Sequence, residues 1–107
     1  MTMSGNNTEE IWKDVLGYEG LYRVSNLGRV WSIYYDKELF GCPDKNGYLR
    51  VGITKNKISK TVKIHRIVCS TFNFVEGWEL LEVNHINAIK TDNRSENLEL
   101  FLLSNVS

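Results

Sequence analysis

The sequence has few cysteines and no long apolar stretch, and both shortages narrow the classes of protein to consider. Only 2 of its 107 residues are cysteines. These residues, Cys42 and Cys69, form neither a metal-ligand spacing nor a disulfide framework, so we expect both to be reduced and mostly structural. The sequence shows no signal peptide and no apolar run that could span a bilayer. We therefore expect a cytoplasmic protein with no membrane partner.

Charge of one sign is not in excess either. The 13 Lys and Arg residues balance 13 Asp and Glu residues, which argues against a uniformly basic nucleic-acid binder. The cations are nevertheless concentrated, because residues 45–66 contain no acid. The basic residues of this segment are Lys45, Arg50, Lys55, Lys57, Lys60, Lys63 and Arg66. The segment is either an electrostatic footprint for phosphate or a solvated hairpin whose lysines prevent edge-to-edge aggregation.

The N-terminal part of the sequence indicates a small antiparallel module. Residues 1–8 are polar and predict a disordered tail. Residues 9–16 fit either a helical turn or an extended segment, because periodicity cannot decide over so short a run. Apolar patterning predicts strands over residues 21–25 and 29–33 around a tight turn. Residues 34–46 indicate a loop that contains a weak strand.

The following part predicts a second hairpin, a helix and one further strand. Residues 48–54 alternate cleanly between apolar and polar side chains and predict a strand. After a turn over residues 55–59, residues 60–64 return as the partner strand, with the lysines expected on one face. The apolar spacing over residues 65–72 suits a short helix that packs on the sheet, and residues 80–85 predict a strand.

A polar loop follows this strand and presents His85 at the strand end. Histidine titrates near neutral pH, as a general base must. Neutral oxygen ligands are available nearby from Asn84, Asn87 and Asn97. Asp92 or Asn93 is placed to cap a helix that begins at Arg94, and that helix would carry Asn97.

The run Val-Asn-His-Ile-Asn-x-x-Lys-Thr-Asp-Asn-Arg-x-Glu-Asn-Leu-Glu, residues 83–99, resembles the core of HNH endonucleases of the phage and intron-encoded type. That core is a ββα-metal, or His-Me finger, fold. His65 and Arg66 resemble the Val-His-Arg segment of the family. Two positions depart from the pattern, since Asn87 replaces an Asp and Ala88 replaces a Gly. A loop without that glycine loses an easy route to positive φ.

The resemblance implies a role for each polar residue of this core. His85 would deprotonate the water that attacks a DNA phosphodiester, and Asn97 would orient His85 or its loop. Asn84 and Asn105 occupy or approach the positions of ligands for Mg²⁺ or Mn²⁺, and both are neutral. His65 either packs or contacts phosphate. The candidate DNA contacts are Arg23, Arg29, Arg50, Lys60, Lys63, Arg66, Lys90 and Arg94.

Residues 11–30 carry a second resemblance. Their Trp, Gly-Tyr-Glu, Tyr-x-Val-Ser-Asn and Gly-x-Val elements are similar to a small nuclease-associated modular domain that often precedes the HNH core. The resemblance implies a DNA-contacting module in which Arg23 and Arg29 face phosphate. The aromatic residues Trp12 and Tyr22 are expected to pack in a core in either case.

Together these observations predict an α+β protein with a hairpin module over residues 9–47 and an HNH ββα-metal core over residues 48–107. The first expected function is metal-dependent cleavage of DNA. The alternative is a DNA-binding protein that kept the scaffold and cleaves poorly, because Asn84 is not a carboxylate and the chain ends soon after the core. An interaction module without a nucleic-acid role is a weaker third hypothesis, since both motifs and the basic segment argue against it.

Overall fold

The computed structural model describes residues 9–102, and within them the chain forms three antiparallel sheets and one α-helix. The predicted α+β class is confirmed. The predicted disordered tail over residues 1–8 and the candidate ligand Asn105 lie outside the described residues.

The first sheet has four strands in the order β1-β2-β3-β4. Its strands are β1 Trp12–Asp14, β2 Tyr22–Ser25, β3 Val30–Ser32 and β4 Lys37–Leu39. The open question about residues 9–16 is thereby answered, because β1 is extended and pairs with β2. Val24 and Val30 face each other across β2 and β3 and are fully buried. Gly28, at φ +87°, lies in the turn between these two strands.

The second sheet is the predicted basic hairpin with one short strand added. Its strands are β5 Cys42–Pro43, β6 Leu49–Lys55 and β7 Ile58–Lys63. The turn consists of Asn56 and Lys57, both at positive φ, as two-residue hairpins require. The expectation that the lysines share one face is wrong. Lys60 pairs with buried Ile53, whereas Lys63 pairs with exposed Arg50, and residues three apart point to opposite faces of a strand.

The predicted helix over residues 65–72 is confirmed as α1, which spans Ile64–Phe72. It joins the first two sheets through one continuous core. The buried apolar members of that core are Val15, Tyr22, Val24, Val30, Val51, Ile53, Ile64, Ile67, Val68, Cys69 and Leu98. The core contains residues of all three sheets and of α1. We therefore expect the N-terminal sheet and the C-terminal segment to fold together.

The third sheet is a hairpin of β8, Glu82–His85, and β9, Leu98–Phe101. The predicted strand over residues 80–85 therefore begins later, because Trp78–Leu80 forms a 3-10 turn.

The helix predicted from Arg94 is wrong. Only the 3-10 turn Ser95–Asn97 forms, without a side-chain cap, and β9 follows it directly. Within β9, Leu98 and Leu100 are covered while Glu99 and Phe101 are exposed, which is the two-residue period of a strand.

No helix among residues 9–102 is long and apolar enough to cross a membrane.

Candidate active site

The imidazole of His85 lies in an aromatic cluster at the end of β8. His85 pairs with Leu98 in the hairpin and is only 6% exposed. Its ring centroid lies 5.1 Å from that of His65 and 5.7 Å from that of Tyr48, while the latter two rings are 5.0 Å apart. The residue before β6, the helix α1 and the end of β8 therefore meet in one cluster of rings.

Asn93 holds this imidazole by a direct hydrogen bond. The distance from His85 Nε2 to Asn93 Oδ1 is 2.8 Å, and Asn93 is 4% exposed. An amide oxygen only accepts hydrogen bonds, so Nε2 carries the ring proton and Nδ1 keeps its lone pair. This tautomer is suited to a general base. The sequence predicts a helix cap at Asp92 or Asn93, and the signal for the contact of Asn93 with His85 is its place within the HNH-like run.

Asn97 closes the loop after His85 and does not contact the ring. Its Oδ1 accepts from the backbone N–H of Asn87 at 3.0 Å, and its Nδ2 donates to Asn87 Oδ1 and to the Asp92 carbonyl, both at 2.9 Å. Within this loop Ala88 has φ +65°. The backbone thus keeps the left-handed conformation at a position where the family pattern has glycine.

The N-terminal sheet supports this loop from the other side. The turn between β2 and β3 contacts it, because the N–H of Ser95 donates to the Asn26 carbonyl at 2.8 Å. A Cβ added to Gly28 would lie 2.8 Å from the carbonyl carbon of Asn93. Such an approach is too close for any side chain. The N-terminal sheet therefore helps to position Asn93, the residue that bonds to His85.

His65 is the second imidazole of the site and is 6% exposed. Burial, followed by the neighbouring His85, lowers its pKa to about 4. Its Nδ1 atom is buried and has no hydrogen-bond partner within the described part of the chain. His65 therefore packs as a neutral ring under Tyr48 and His85, which favours the packing alternative over a phosphate contact.

Two lysines flank the same tyrosine. The Nζ atoms of Lys63 and Lys90 lie 5.3 Å and 5.0 Å from the centroid of the Tyr48 ring, within the range of cation–π attraction. Lys90 also donates to the Asn46 carbonyl at 2.8 Å, and Lys63 lies 3.8 Å from Asp44. The rim of the site therefore carries two lysines, one of which faces a carboxylate of the fold.

A shallow cavity of about 190 Å³ opens at this rim. Its lining residues are Tyr48, Val83, Asn84, His85, Ala88 and Lys90. Asn84 is exposed, and its Nδ2 donates to Glu99 Oε2 at 2.7 Å. The amide oxygen of Asn84 therefore remains available to a ligand.

This cavity offers the amide oxygen of Asn84, a ligand of the kind that Mg²⁺ and Mn²⁺ bind together with several waters. It does not form a closed cage, because residues 9–102 contain no group of three or more His, Cys, Asp or Glu side chains arranged to hold a metal.

Three of the arginines proposed to contact DNA are engaged in ion pairs of the fold. Arg23 lies 3.2 Å from Asp14. Arg29 binds Glu10 at 2.7 Å and Glu38 at 2.9 Å, and Arg94 binds Asp92 at 2.8 Å and Glu96 at 2.7 Å. The hydrogen bond from Arg94, opposed by partial burial, lowers the pKa of the Asp92 carboxyl to about 2.

Arg66 has a structural role as well. It donates to the Leu81 and Trp78 carbonyls and stacks 5.0 Å above the Trp78 ring. In contrast, Arg50 and Lys60 are exposed and form no ion pair within residues 9–102. They lie on opposite faces of the second sheet, so only Arg50 shares a face with Lys63.

Comparison with known proteins identifies the relatives of this chain. A family model described as the NUMOD4 motif matches residues 10–54. The DNA endonuclease I-HmuI of Bacillus phage SP01 is 46% identical over 88 residues, which cover 81% of this chain and 49% of that protein. A solved structure on DNA binding and cleavage by the HNH homing endonuclease I-HmuI has a TM-score of 0.77 at 41% identity, over 86% of this chain and 52% of that chain.

The chain is a homologue of the HNH homing endonucleases. Two uncharacterized HNH endonucleases of Acanthamoeba polyphaga mimivirus are 40% and 38% identical to it, over 92% and 73% of this chain. These matches cover 25% and 23% of the mimivirus proteins, and the chain spans about half the length of I-HmuI. Both sequence resemblances are confirmed, because the relatives are named HNH endonucleases and the NUMOD4 match contains residues 11–30.

Proposed function

We propose that this HNH homologue is a metal-dependent DNA endonuclease that hydrolyses phosphodiester bonds with His85 as general base. The observation that carries the proposal is the hydrogen bond between His85 Nε2 and Asn93 Oδ1 at 2.8 Å. It fixes the ring and leaves Nδ1 as the proton acceptor. In the proposed reaction Nδ1 takes a proton from water, and the resulting hydroxide attacks the phosphorus of the scissile phosphate. The bond from phosphorus to the leaving oxygen of the sugar breaks, and that oxygen takes up a proton from solvent.

A divalent ion is the cofactor of the proposed reaction. Asn84 would hold it through its free amide oxygen, and the family resemblance adds Asn105. When bound, the ion would stabilise the charge that develops on the leaving oxygen. The protein itself excludes bulk water from one side of His85 through Tyr48 and His65, and it positions the ring through Asn93.

DNA is the proposed partner, and the phosphate backbone would cross the rim of the cavity. Lys63, Lys90 and Arg50 would supply the positive charge there, because both lysines flank Tyr48 at the rim and Arg50 shares a face with Lys63. Asp44 offsets part of the charge of Lys63. Lysine contacts to phosphate release counterions and give affinity that falls with salt. Arg23, Arg29, Arg94, Lys60 and Arg66 remain weaker candidates for the same role.

A nicking assay on supercoiled plasmid and on mixed phage genomic fragments tests this function. We expect cleavage with Mg²⁺ or Mn²⁺ and none with EDTA. His85→Gln, purified in parallel, controls for contaminating nucleases and is expected to cut at least about a hundredfold more slowly. Cleavage that persists in EDTA, or equal cleavage by His85→Gln, would contradict the proposal.

The second candidate function is DNA binding without cleavage. It is favoured by one observation, namely that the position expected to hold the metal carries the neutral amide of Asn84. A gel shift with no nicking in either metal would support it against the nuclease.

A further inference from the structure

Glu99 lies directly beside Asn84 in the β8–β9 hairpin. The two residues are cross-strand partners in the antiparallel register, and side chains that face each other in such a pair are close enough to interact. They are joined by the hydrogen bond from Asn84 Nδ2 to Glu99 Oε2 at 2.7 Å, and both are exposed. The hairpin therefore presents an amide and a carboxylate together, and the amide belongs to a residue that lines the cavity.

Within residues 9–102 Glu99 has no basic partner, as is also true of Glu82 in β8, but of these two carboxylates only Glu99 bonds to Asn84. Asp92 is bound by Arg94, and Asp44 faces Lys63. Within residues 9–102, no lysine or arginine forms an ion pair with Glu99. Its only hydrogen bond in this part of the chain comes from the Asn84 amide, so one carboxylate oxygen and nearly the full negative charge remain available.

We infer that Glu99 supplies the carboxylate of the divalent-ion site, and that Asn84 supplies an amide oxygen next to it. The inference rests on the proposed metal-dependent function. It explains how the protein can offer negative charge to the ion although Asn84, the residue before His85, is neutral. The carboxylate of Glu99 lies on the adjacent strand, on the same face of the hairpin as Asn84. Hard divalent ions bind carboxylate and amide oxygens, and affinity rises with the charge of the ligands.

The hydrogen bond between the two side chains has a second consequence. Because Asn84 Nδ2 donates to Glu99, the amide cannot rotate freely, and its oxygen is held in one orientation. Such fixing of a ligand by its neighbour increases metal affinity. Glu99 is therefore both a source of charge and a positioning residue for Asn84.

Mn²⁺ binding to the whole chain, measured from the electron paramagnetic resonance signal of free Mn²⁺, tests the inference without relying on activity. Glu99→Gln keeps an oxygen that can accept from Asn84 and removes only the charge. We expect its dissociation constant for Mn²⁺ to rise about tenfold to a hundredfold. Glu79→Gln, an exposed acid in the 3-10 turn Trp78–Leu80, is the charge-matched control and should bind like wild type.

A double variant, Asn84→Asp with Glu99→Gln, returns a carboxylate to the same face and should restore Mn²⁺ affinity. Circular dichroism verifies that each variant is folded. If Glu99→Gln binds Mn²⁺ as tightly as Glu79→Gln, the inference is wrong, and continued DNA nicking by wild type would leave the nuclease function standing. If Mn²⁺ binding depends on Glu99 but wild type cuts no DNA, the ion site holds and the proposed function fails.

Discussion

The buried imidazole of His65 predicts a measurable loss of stability in mild acid. Burial first, and His85 second, lower the pKa of His65 from 6.5 to about 4 in the folded chain. In the unfolded chain the ring titrates at its ordinary value, so between these two pKa values the unfolded state binds more protons. The stability contributed by the neutral ring is therefore complete above pH 6.5 and decreases as the pH falls toward 4. At pH 5 the loss is about 2 kcal/mol.

Urea unfolding followed by tryptophan fluorescence measures this loss at pH 7.5 and at pH 5. The matched variant is His65→Phe, which keeps an aromatic ring against Tyr48 and removes the titrating group. Because Nδ1 of His65 has no hydrogen-bond partner within the described residues, the replacement removes no hydrogen bond to that atom. We expect the free energy of unfolding of the wild type to fall more than that of the variant over this range. Parallel pH dependences for the two proteins would refute the argument.

Three further predictions follow from the loop and the rim of the site. Gly28→Ala should lower the free energy of unfolding in urea by about 1 to 3 kcal/mol, because it strains a backbone at φ +87° and pushes against Asn93. Ala88→Gly should raise it by about 0.5 to 1 kcal/mol by relieving the left-handed alanine; a loss of stability would contradict this. Lys63→Gln with Lys90→Gln should make the slope of log K against log salt shallower by up to about two units, and an unchanged slope would mean that this rim faces away from DNA.

Much of the fold could be predicted from local patterns. The alternation of residues 48–54 and the spacing of residues 65–72 match β6 and α1 closely. The prediction of a helix from Arg94 is wrong, because it rests on the cap-forming residues Asp92 and Asn93 alone. The segment after Asn97 forms a strand because it pairs with β8 and covers Leu98 and Leu100. This tertiary context overrides the local preference for a helix.

The candidate site could likewise be predicted only in part from the sequence. The presence of His85 in the site and the role of Asn97 in its loop could be predicted from the HNH-like run, because the two residues are close in sequence. The contacts of Asn93, Tyr48 and His65 with His85 could not be predicted, because they depend on the path of the loop and on the packing of β6 and α1 against β8. Local sequence does not specify such long-range contacts.

The most direct test of the account compares DNA cleavage with DNA binding for His85→Ala on a single preparation. A general base acts in the chemical step and contributes little to phosphate affinity. We expect the cleavage rate to fall by at least about a hundredfold, while the dissociation constant for DNA stays near the wild-type value. A variant that still cuts at a rate close to wild type would show that His85 is not the base.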